Sequence, residues 1–194
     1  MERTEWHHAP LHVFAPNTVY MVTGATLHKQ HFYLGRRRLE VLQETLLAIA
    51  KRREWEIRAW AIFSNHYHFI AKAPVHHGAL YRLIQHIHAE SARQLNLMDN
   101  TPGRQVWYQY WDKCITYEKS YCPRLHYVLK NAVHHKLVPV ANAYPFCSAA
   151  LFEARTPRPF RKKVESFKFD LLRDPDDFTP QWSQTSRCLD AVHP

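Results

Sequence analysis

The sequence predicts an α+β fold of the ferredoxin-like, split βαβ type, a sandwich in which helices cover one face of an antiparallel sheet. Segments rich in β-branched and aromatic residues predict the strands, and segments with apolar residues every three or four positions predict the helices. Their order along the chain is β, α, β, β, α, β. A further amphipathic helix follows the last strand. The 194 residues, 46% of them hydrophobic, suffice for one domain with a packed core.

The first half of the chain supplies three strands and one helix. Residues 18–26 form the first strand, in which Gly24 marks a bulge or a close approach of the backbone. Strands over 56–63 and 66–72 are joined by a tight polar turn. The helix between the first two strands is predicted from its apolar spacing and its basic end: Leu39, Leu42, Leu46, Ile49, Lys51, Arg52 and Arg53.

The second half supplies a helix, a strand region and the added helix. The helix is predicted over 79–96, and strand segments over 106–111 and 114–117. The added helix begins near Ser120, which can cap it, and tolerates Pro123 in its first turn. Its predicted buried stripe consists of Leu125, Val128, Leu129 and Ala132.

The remaining segments are predicted to be irregular. The sequence divides into an N-terminal arm (1–16), one domain (17–152) and a C-terminal extension (153–194) that is first basic and then acidic. No apolar run approaches the roughly 20 residues that a membrane span needs, and the N-terminus lacks the apolar core of a signal peptide. The four cysteines have no paired spacing, which predicts free thiols in a reducing cytoplasm.

A net charge of +9 predicts a polyanionic partner. Nucleic acid is the first candidate and an anionic membrane surface the second, and because the charge is clustered, nucleic acid is favoured over a role in solubility alone. The residues predicted to contact DNA are Arg36, Arg37, Arg38, Lys51, Arg52, Arg53, Arg158, Arg161, Lys162 and Lys163. Four aromatic residues are candidates for stacking on bases or for ordinary packing, and packing is favoured for at least two of them: Trp107, Tyr108, Tyr110 and Trp111.

Two histidines, His66 and His68, stand two residues apart on the predicted third strand. Alternate residues of a strand face the same side, so the two imidazoles form a natural chelating pair while Tyr67 points the other way. His86 and His88 have the same spacing but lie on a helix, where such residues diverge, and they cannot chelate. With 15 histidines in the chain, the spacing alone equally fits two partly buried structural histidines.

The added helix carries a second group of polar residues. Tyr127, Asn131 and His134 fall within roughly 60° of one another, on the side opposite the apolar stripe. Burial against the core face of the helix does not explain a tyrosine there. Tyr121, a rival nucleophile on the same helix, precedes Cys122-Pro123 and is favoured as a packing residue.

The motif Ser64-Asn65-His66-Tyr67-His68-Phe69-Ile70 resembles the histidine, bulky residue, histidine strand of the single-tyrosine transposases of the HUH superfamily. The segment YVLKNAVHHKLV, from Tyr127 to Val138, is similar to the tyrosine helix of that family, and of its REP-associated tyrosine transposases in particular. The resemblance spans roughly residues 17–152. This chain has Asn131-Ala132-Val133 where the family usually has Asn-Pro-Val.

The resemblance implies His66 and His68 as metal ligands, Tyr127 as the nucleophile and Asn131 as the third protein ligand. Such an N,N,O site suits a divalent ion of the Mg, Mn or Ni kind, and Mg or Mn is the expected cofactor. A phenol has a pKa of about 10, so it needs activation. His126, Lys130 and His134 are candidates for assisting it.

The implied activity is transposase-like cleavage and rejoining of single-stranded or hairpin repeat DNA through a 5′-phosphotyrosine intermediate. The protein would act as a monomer or homodimer in the bacterial cytoplasm. Two alternatives remain open: a domesticated nucleic-acid-binding protein without turnover, and a metal-dependent hydrolase that uses a bound water. A covalent protein–DNA adduct distinguishes the first reading from the other two.

Overall fold

The structure is a computed structural model that describes residues 15–76, 79–169, 172 and 178–181. Most of the predicted N-terminal arm, Cys188 and the acidic residues 174–177 lie outside the described residues. The described cysteines, Cys114, Cys122 and Cys147, are free thiols, as predicted. Among the described residues, no helix is both long and apolar enough to cross a lipid bilayer.

Four antiparallel strands form a single sheet, in the order β2-β3-β1-β4. Their bounds are Val19–Thr26 (β1), Glu56–Ile62 (β2), His66–Lys72 (β3) and Trp107–Ile115 (β4). This confirms the predicted ferredoxin-like class. Strand β4 is one continuous strand where two segments were predicted, because the polar Asp112 and Lys113 still pair with β1. An antiparallel edge strand tolerates such residues on its open side.

Helices α1 (Arg36–Arg52) and α2 (Leu80–Met98) pack together on one face of the sheet. The predicted apolar stripe of α1 is fully buried there. Tyr67 of β3 also faces this side, where its hydroxyl meets His88 of α2. Gly24 of β1 makes the predicted close approach, since a Cβ at this position would lie 2.3 Å from Cζ of Tyr67.

The added helix, α3 (Glu118–His134), packs against the opposite face of the sheet. It begins two residues before Ser120, which therefore does not cap it, and Pro123 lies inside the helix. Glu118 stands in the first turn, where a carboxylate suits the helix dipole.

The chain after residue 137 is more regular than predicted. It forms two short helices, α4 (Ala149–Arg155) and α5 (Arg158–Glu165). Pro159 does not break α5 because a proline near the first helical position needs no hydrogen-bond donor. Val164 anchors α5 in the core, and α5 packs on α3. Helix α3 is therefore covered on two sides, by the sheet and by this C-terminal layer.

Candidate active site

Strand β3 carries His66 and His68 on the face that α3 covers, and both side chains are fully buried. Cross-strand pairing puts small residues around them. His68 lies opposite Thr23 of β1 and Ala61 of β2, and His66 lies opposite Ala25. Small neighbours leave space above the sheet for other groups to approach the imidazoles.

Each imidazole is oriented by a hydrogen bond at Nδ1. The Nδ1 of His68 lies 2.8 Å from Oγ1 of Thr23, and the Nδ1 of His66 lies 2.9 Å from Oδ1 of Asn65. Because the amide oxygen of Asn65 only accepts, His66 donates from Nδ1 and carries its lone pair on Nε2. With a metal on its Nε2, His68 would have the same tautomer and would donate from Nδ1 to Thr23. Such partners are typical of metal-binding histidines.

Tyr127 of α3 lies beside this pair. Its hydroxyl is 3.4 Å from Nε2 of His68, and the two rings meet edge to face with centroids 5.1 Å apart. This distance is long for a hydrogen bond. Tyr121 lies elsewhere, with Arg58 over its ring. The structure thus brings together the histidine pair and Tyr127, but not Tyr121.

The predicted ligands fit a metal in their donor chemistry. The rings of His66 and His68 have centroids 5.0 Å apart, and two imidazoles sharing one ion stand at roughly such a separation when each metal–nitrogen bond is about 2.1 Å. Asn131 is fully buried one helical turn after Tyr127. The described part of the chain has no cluster of three or more His, Cys, Asp or Glu side chains placed to hold a metal. Asn131, the predicted third ligand, carries an amide and is therefore not counted in such a cluster.

Both sides of α3 are buried. The sequence placed Tyr127 and Asn131 opposite the buried stripe, yet both are buried, as is the stripe. Tyr127 contacts His68 of the sheet, while Leu129 of the stripe lines a cavity together with residues of the C-terminal layer.

The three candidate assisting residues have different surroundings. His126 and Lys130 line a separate cavity of about 240 Å³ between α3 and the C-terminal layer. Nδ1 of His126 is 2.8 Å from the carbonyl oxygen of Phe167. His134 is exposed at the end of α3, beside His135.

Several residues of the site were not predicted. His135 meets the ring of His66 edge to face at a centroid distance of 5.3 Å. Phe63 and Phe178 stack on opposite faces of the His66 ring, at 4.6 and 4.5 Å. Nothing in the local sequence identified Thr23 as a site residue, because its contact with His68 depends on strand register. Of these residues, only Asn65 and His135 lie inside the Ser64–Ile70 and Tyr127–Val138 motifs. That position is the signal by which the sequence could have identified them.

The predicted DNA-binding cations lie on three separate surfaces. Arg36, Arg37 and Arg38 begin α1, whereas Lys51, Arg52 and Arg53 lie about 25 Å away at its other end. The cations of residues 158–163 belong to α5, on the α3 side of the sheet. Some of the charge is internally paired. Arg38 bonds Asp99 and the carbonyl of Phe32, and Lys163 pairs with Glu118.

The four aromatic candidates divide between packing and exposure. Trp107 is buried and stacks on His88 with centroids 4.4 Å apart, so it is a core residue. Tyr108 is 56% exposed. Tyr110 is partly buried, and burial beside Asp112 raises its pKa to about 12. Trp111 is partly buried and lies opposite Thr23, in the same cross-strand row as His68.

Comparison with known proteins gives a consistent picture. The family model of IS200-like transposases matches residues 20–124, more than half of the chain. A solved REP-associated tyrosine transposase bound to a REP hairpin superposes with a TM-score of 0.65 at 18% identity, covering 89% of this chain and 96% of that one.

A candidate transposase from Deinococcus radiodurans R1 gives a TM-score of 0.44 at 17% identity, covering 65% of this chain and 97% of that one. No curated protein matches. At such identities the structural likeness shows the fold alone, and the first of the two superpositions agrees with the ferredoxin-like sheet described above. The family follows from the sequence model: the chain belongs to the IS200-like transposases.

Proposed function

We propose that the protein is a metal-dependent DNA strand transferase that cleaves and rejoins single-stranded DNA through a 5′-phosphotyrosine. One observation carries this proposal. Tyr127, on α3, places its hydroxyl 3.4 Å from His68, which is 59 residues earlier on β3 and is paired with His66. A phenol next to a chelating histidine pair is the arrangement that covalent phosphoryl transfer needs.

The proposed step forms one bond and breaks one. The Tyr127 oxygen, after losing its proton, attacks the phosphorus, the bond to the 3′ oxygen breaks, and that oxygen gains a proton. The phosphotyrosine ester keeps the bond energy, so a 3′ hydroxyl can reverse the step without ATP. A bound Mg²⁺ or Mn²⁺, held by His66, His68 and Asn131, would supply Lewis-acid polarisation of the phosphodiester.

The protein's own residues prepare this chemistry. Thr23 and Asn65 hold the two imidazoles in one tautomer and orientation. The Tyr127 hydroxyl lies 3.4 Å from Nε2 of His68, beside the atoms that would hold the metal. The rigid sheet and the doubly covered helix fix the two elements relative to each other.

The proposed partner is single-stranded or hairpin DNA from repeats, held by the basic surfaces of a chain with net charge +9. The solved transposase with a TM-score of 0.65 was bound to a REP hairpin, which supports a hairpin substrate here. The catalytic domain is proposed to span 17–152, and the protein to act as a monomer or homodimer.

Adduct formation tests the proposal. The protein is incubated with hairpin oligonucleotides and Mn²⁺, and the products are separated under denaturing conditions. A 3′-labelled strand should migrate with the protein, while a 5′-labelled strand is released with a 3′ hydroxyl. Chelator should abolish both signals. Tyr121→Phe, a matched change on the same helix, should keep the adduct, whereas an undiminished adduct in Tyr127→Phe would reject the assigned nucleophile.

A second candidate function is DNA binding without turnover. The observation that favours it is the complete burial of His66, whose ring is stacked on Phe63 and Phe178. Tight hairpin binding without an adduct, across Mg²⁺ and Mn²⁺ and a range of strands, would support this reading.

A further inference from the structure

The cavity between α3 and the C-terminal layer plays no part in the proposed DNA chemistry. It is lined by side chains of α3, residues 140–142, α4 and α5. Its volume of about 240 Å³ equals the liquid volume of roughly eight water molecules. Pockets for drug-sized ligands have volumes of about 300–1,000 Å³, so this cavity suits a molecule smaller than a nucleotide.

The inner wall of the cavity is apolar. It consists of Leu129 on α3, Ala141, Ala149 on α4 and Val164 on α5, all of which are buried. Phe152, which is partly buried, also lines the cavity. An apolar group of a ligand would be removed from water against these side chains, and this burial favours binding.

Arg161 of α5 brings a hydrogen-bond donor to the lining. Its Nε is buried and makes no hydrogen bond within the part of the chain that the structure describes. Nη1 of the same guanidinium lies 3.7 Å from Oε1 of Glu153, which is too far for a hydrogen bond. A buried N–H without an acceptor is destabilising, so an oxygen atom bound in the cavity would satisfy it.

Charges of both signs surround the cavity. Lys130 of α3 brings a second positive charge, while Glu153 of α4 and Glu165 of α5 bring two negative charges. Oε2 of Glu153 accepts a hydrogen bond from Nδ2 of Asn142 over 2.9 Å, and a carboxylate can accept several more. Two cations and two carboxylates match neither a simple anion nor a simple cation. They match a molecule that carries one charge of each sign.

We infer that this cavity binds a small zwitterion with an apolar side chain, of the class of a free aliphatic α-amino acid. The ligand carboxylate accepts from Nε of Arg161 and lies near Lys130, its ammonium group lies near Glu153, and its side chain packs on the apolar wall. Leucine has the required size and charges. The ligand contacts α3, α4 and α5 together, so its binding stabilises the packing of the helix that carries Tyr127.

Binding is measured on the full chain without DNA, by saturation-transfer difference NMR with free leucine as the probe. We expect saturable binding with a dissociation constant on the order of 1 mM, in keeping with so few ligand atoms. Two analogues test the charges: isocaproate lacks the ammonium group, and isoamylamine lacks the carboxylate. Each should bind about tenfold more weakly or worse, because a charged group of the lining then lacks its partner.

Three substitutions test the location of the site. Arg161→Gln removes the guanidinium group and should weaken leucine binding by about tenfold or more. Arg155→Gln, a change of an exposed arginine of α4 outside the cavity lining, is the matched control and should leave binding unchanged. Ala149→Leu fills the cavity without changing its charge and should abolish binding. Denaturant unfolding verifies that each variant is folded.

Absence of saturable leucine binding would show that the cavity holds only water, and it would overturn the inference. Equal affinity for leucine and both analogues, unchanged binding in both Arg161→Gln and Ala149→Leu, or equal weakening by Arg155→Gln would do the same. The strand transferase is tested separately by adduct formation. Because Tyr127→Phe should bind leucine as the unchanged chain does, failure of one proposal is distinguishable from failure of the other.

Discussion

The two faces of the sheet each hold a tyrosine beside a histidine. On the α1/α2 face the Tyr67 hydroxyl lies 2.9 Å from Nε2 of His88. On the α3 face the Tyr127 hydroxyl lies 3.4 Å from Nε2 of His68. The residue types match, and Tyr67 stands between the two site histidines in the sequence. The chemistry expected of the two pairs is nevertheless opposite.

The surroundings account for the difference. Tyr67 is fully buried against Gly24, and burial raises its pKa well above its ordinary value. The His88 ring stacks on Trp107, and burial lowers its pKa to about 3. Both groups are thus kept neutral, which suits a structural hydrogen bond.

The Tyr127 pair has different neighbours. A second imidazole, His66, lies beside His68, and the amide of Asn131 follows one turn after the tyrosine. The Tyr127 contact is also longer than the Tyr67 contact. A tyrosine and a histidine in contact therefore do not by themselves define a reactive site. The proposed site differs from the Tyr67 pair in having the second imidazole and the amide of Asn131.

Changing each tyrosine to phenylalanine should give the largest difference between the Tyr67–His88 and Tyr127–His68 pairs. Tyr127→Phe should reduce adduct formation by more than about a thousandfold with little change in stability, because it removes the nucleophile. Tyr67→Phe should keep adduct formation but lower the free energy of unfolding by about 1–3 kcal/mol, since His88 loses its partner. Denaturant unfolding and the adduct assay measure both effects, and equal behaviour of the two variants would contradict the comparison.

Gly24→Ala should have the next largest effect, because it disturbs the packing of Tyr67 in the Tyr67–His88 pair. The added methyl would lie 2.3 Å from Cζ of Tyr67, and overpacking of this kind costs about 1–3 kcal/mol. Denaturant unfolding measures the loss. Shortening the facing side chain with Tyr67→Leu should relieve the clash, so the double variant should be less destabilised than the sum of the two single changes. Simple additivity would show that the contact is not the cause.

Thr23→Val should weaken metal binding at the proposed site of His66 and His68, and it keeps the shape of the side chain at position 23. It deletes the partner of His68 Nδ1, and loss of such an orienting bond lowers metal affinity by about 10- to 100-fold. Mn²⁺ binding followed by electron paramagnetic resonance provides the measurement. Thr23→Ser should restore affinity, and Thr45→Val, a buried threonine of α1 on the other face, should leave it unchanged.

The pH dependence of stability should reveal the burial of His88 in the Tyr67–His88 pair. The pKa of His88 is lowered to about 3 in the folded protein, against about 6.5 when unfolded. Between these values the unfolded chain binds the extra proton, so stability falls as pH falls, by at most about 1.4 kcal/mol per pH unit. His88→Gln should flatten this part of the unfolding profile. An unchanged profile would mean that other groups control it.

The pattern-based predictions succeeded where the cause is local. Strand alternation put His66 and His68 on one face and Tyr67 on the other, because the two-residue period of a strand is a backbone property. The apolar spacing of α1 likewise identified its buried side. Helices α4 and α5 were missed because they are short and the second begins with a Pro-rich run.

By itself, the sequence determined the order of strands and helices and the common face of the histidine pair, since these depend on neighbouring residues. Only the tertiary structure decided that both sides of α3 are buried, that Thr23 contacts His68, that Asp99 pairs with Arg38, and that Phe178 stacks on His66. Each of these contacts joins residues far apart in the chain. Such contacts are set by strand register and by the packing of whole elements, and no local pattern encodes them.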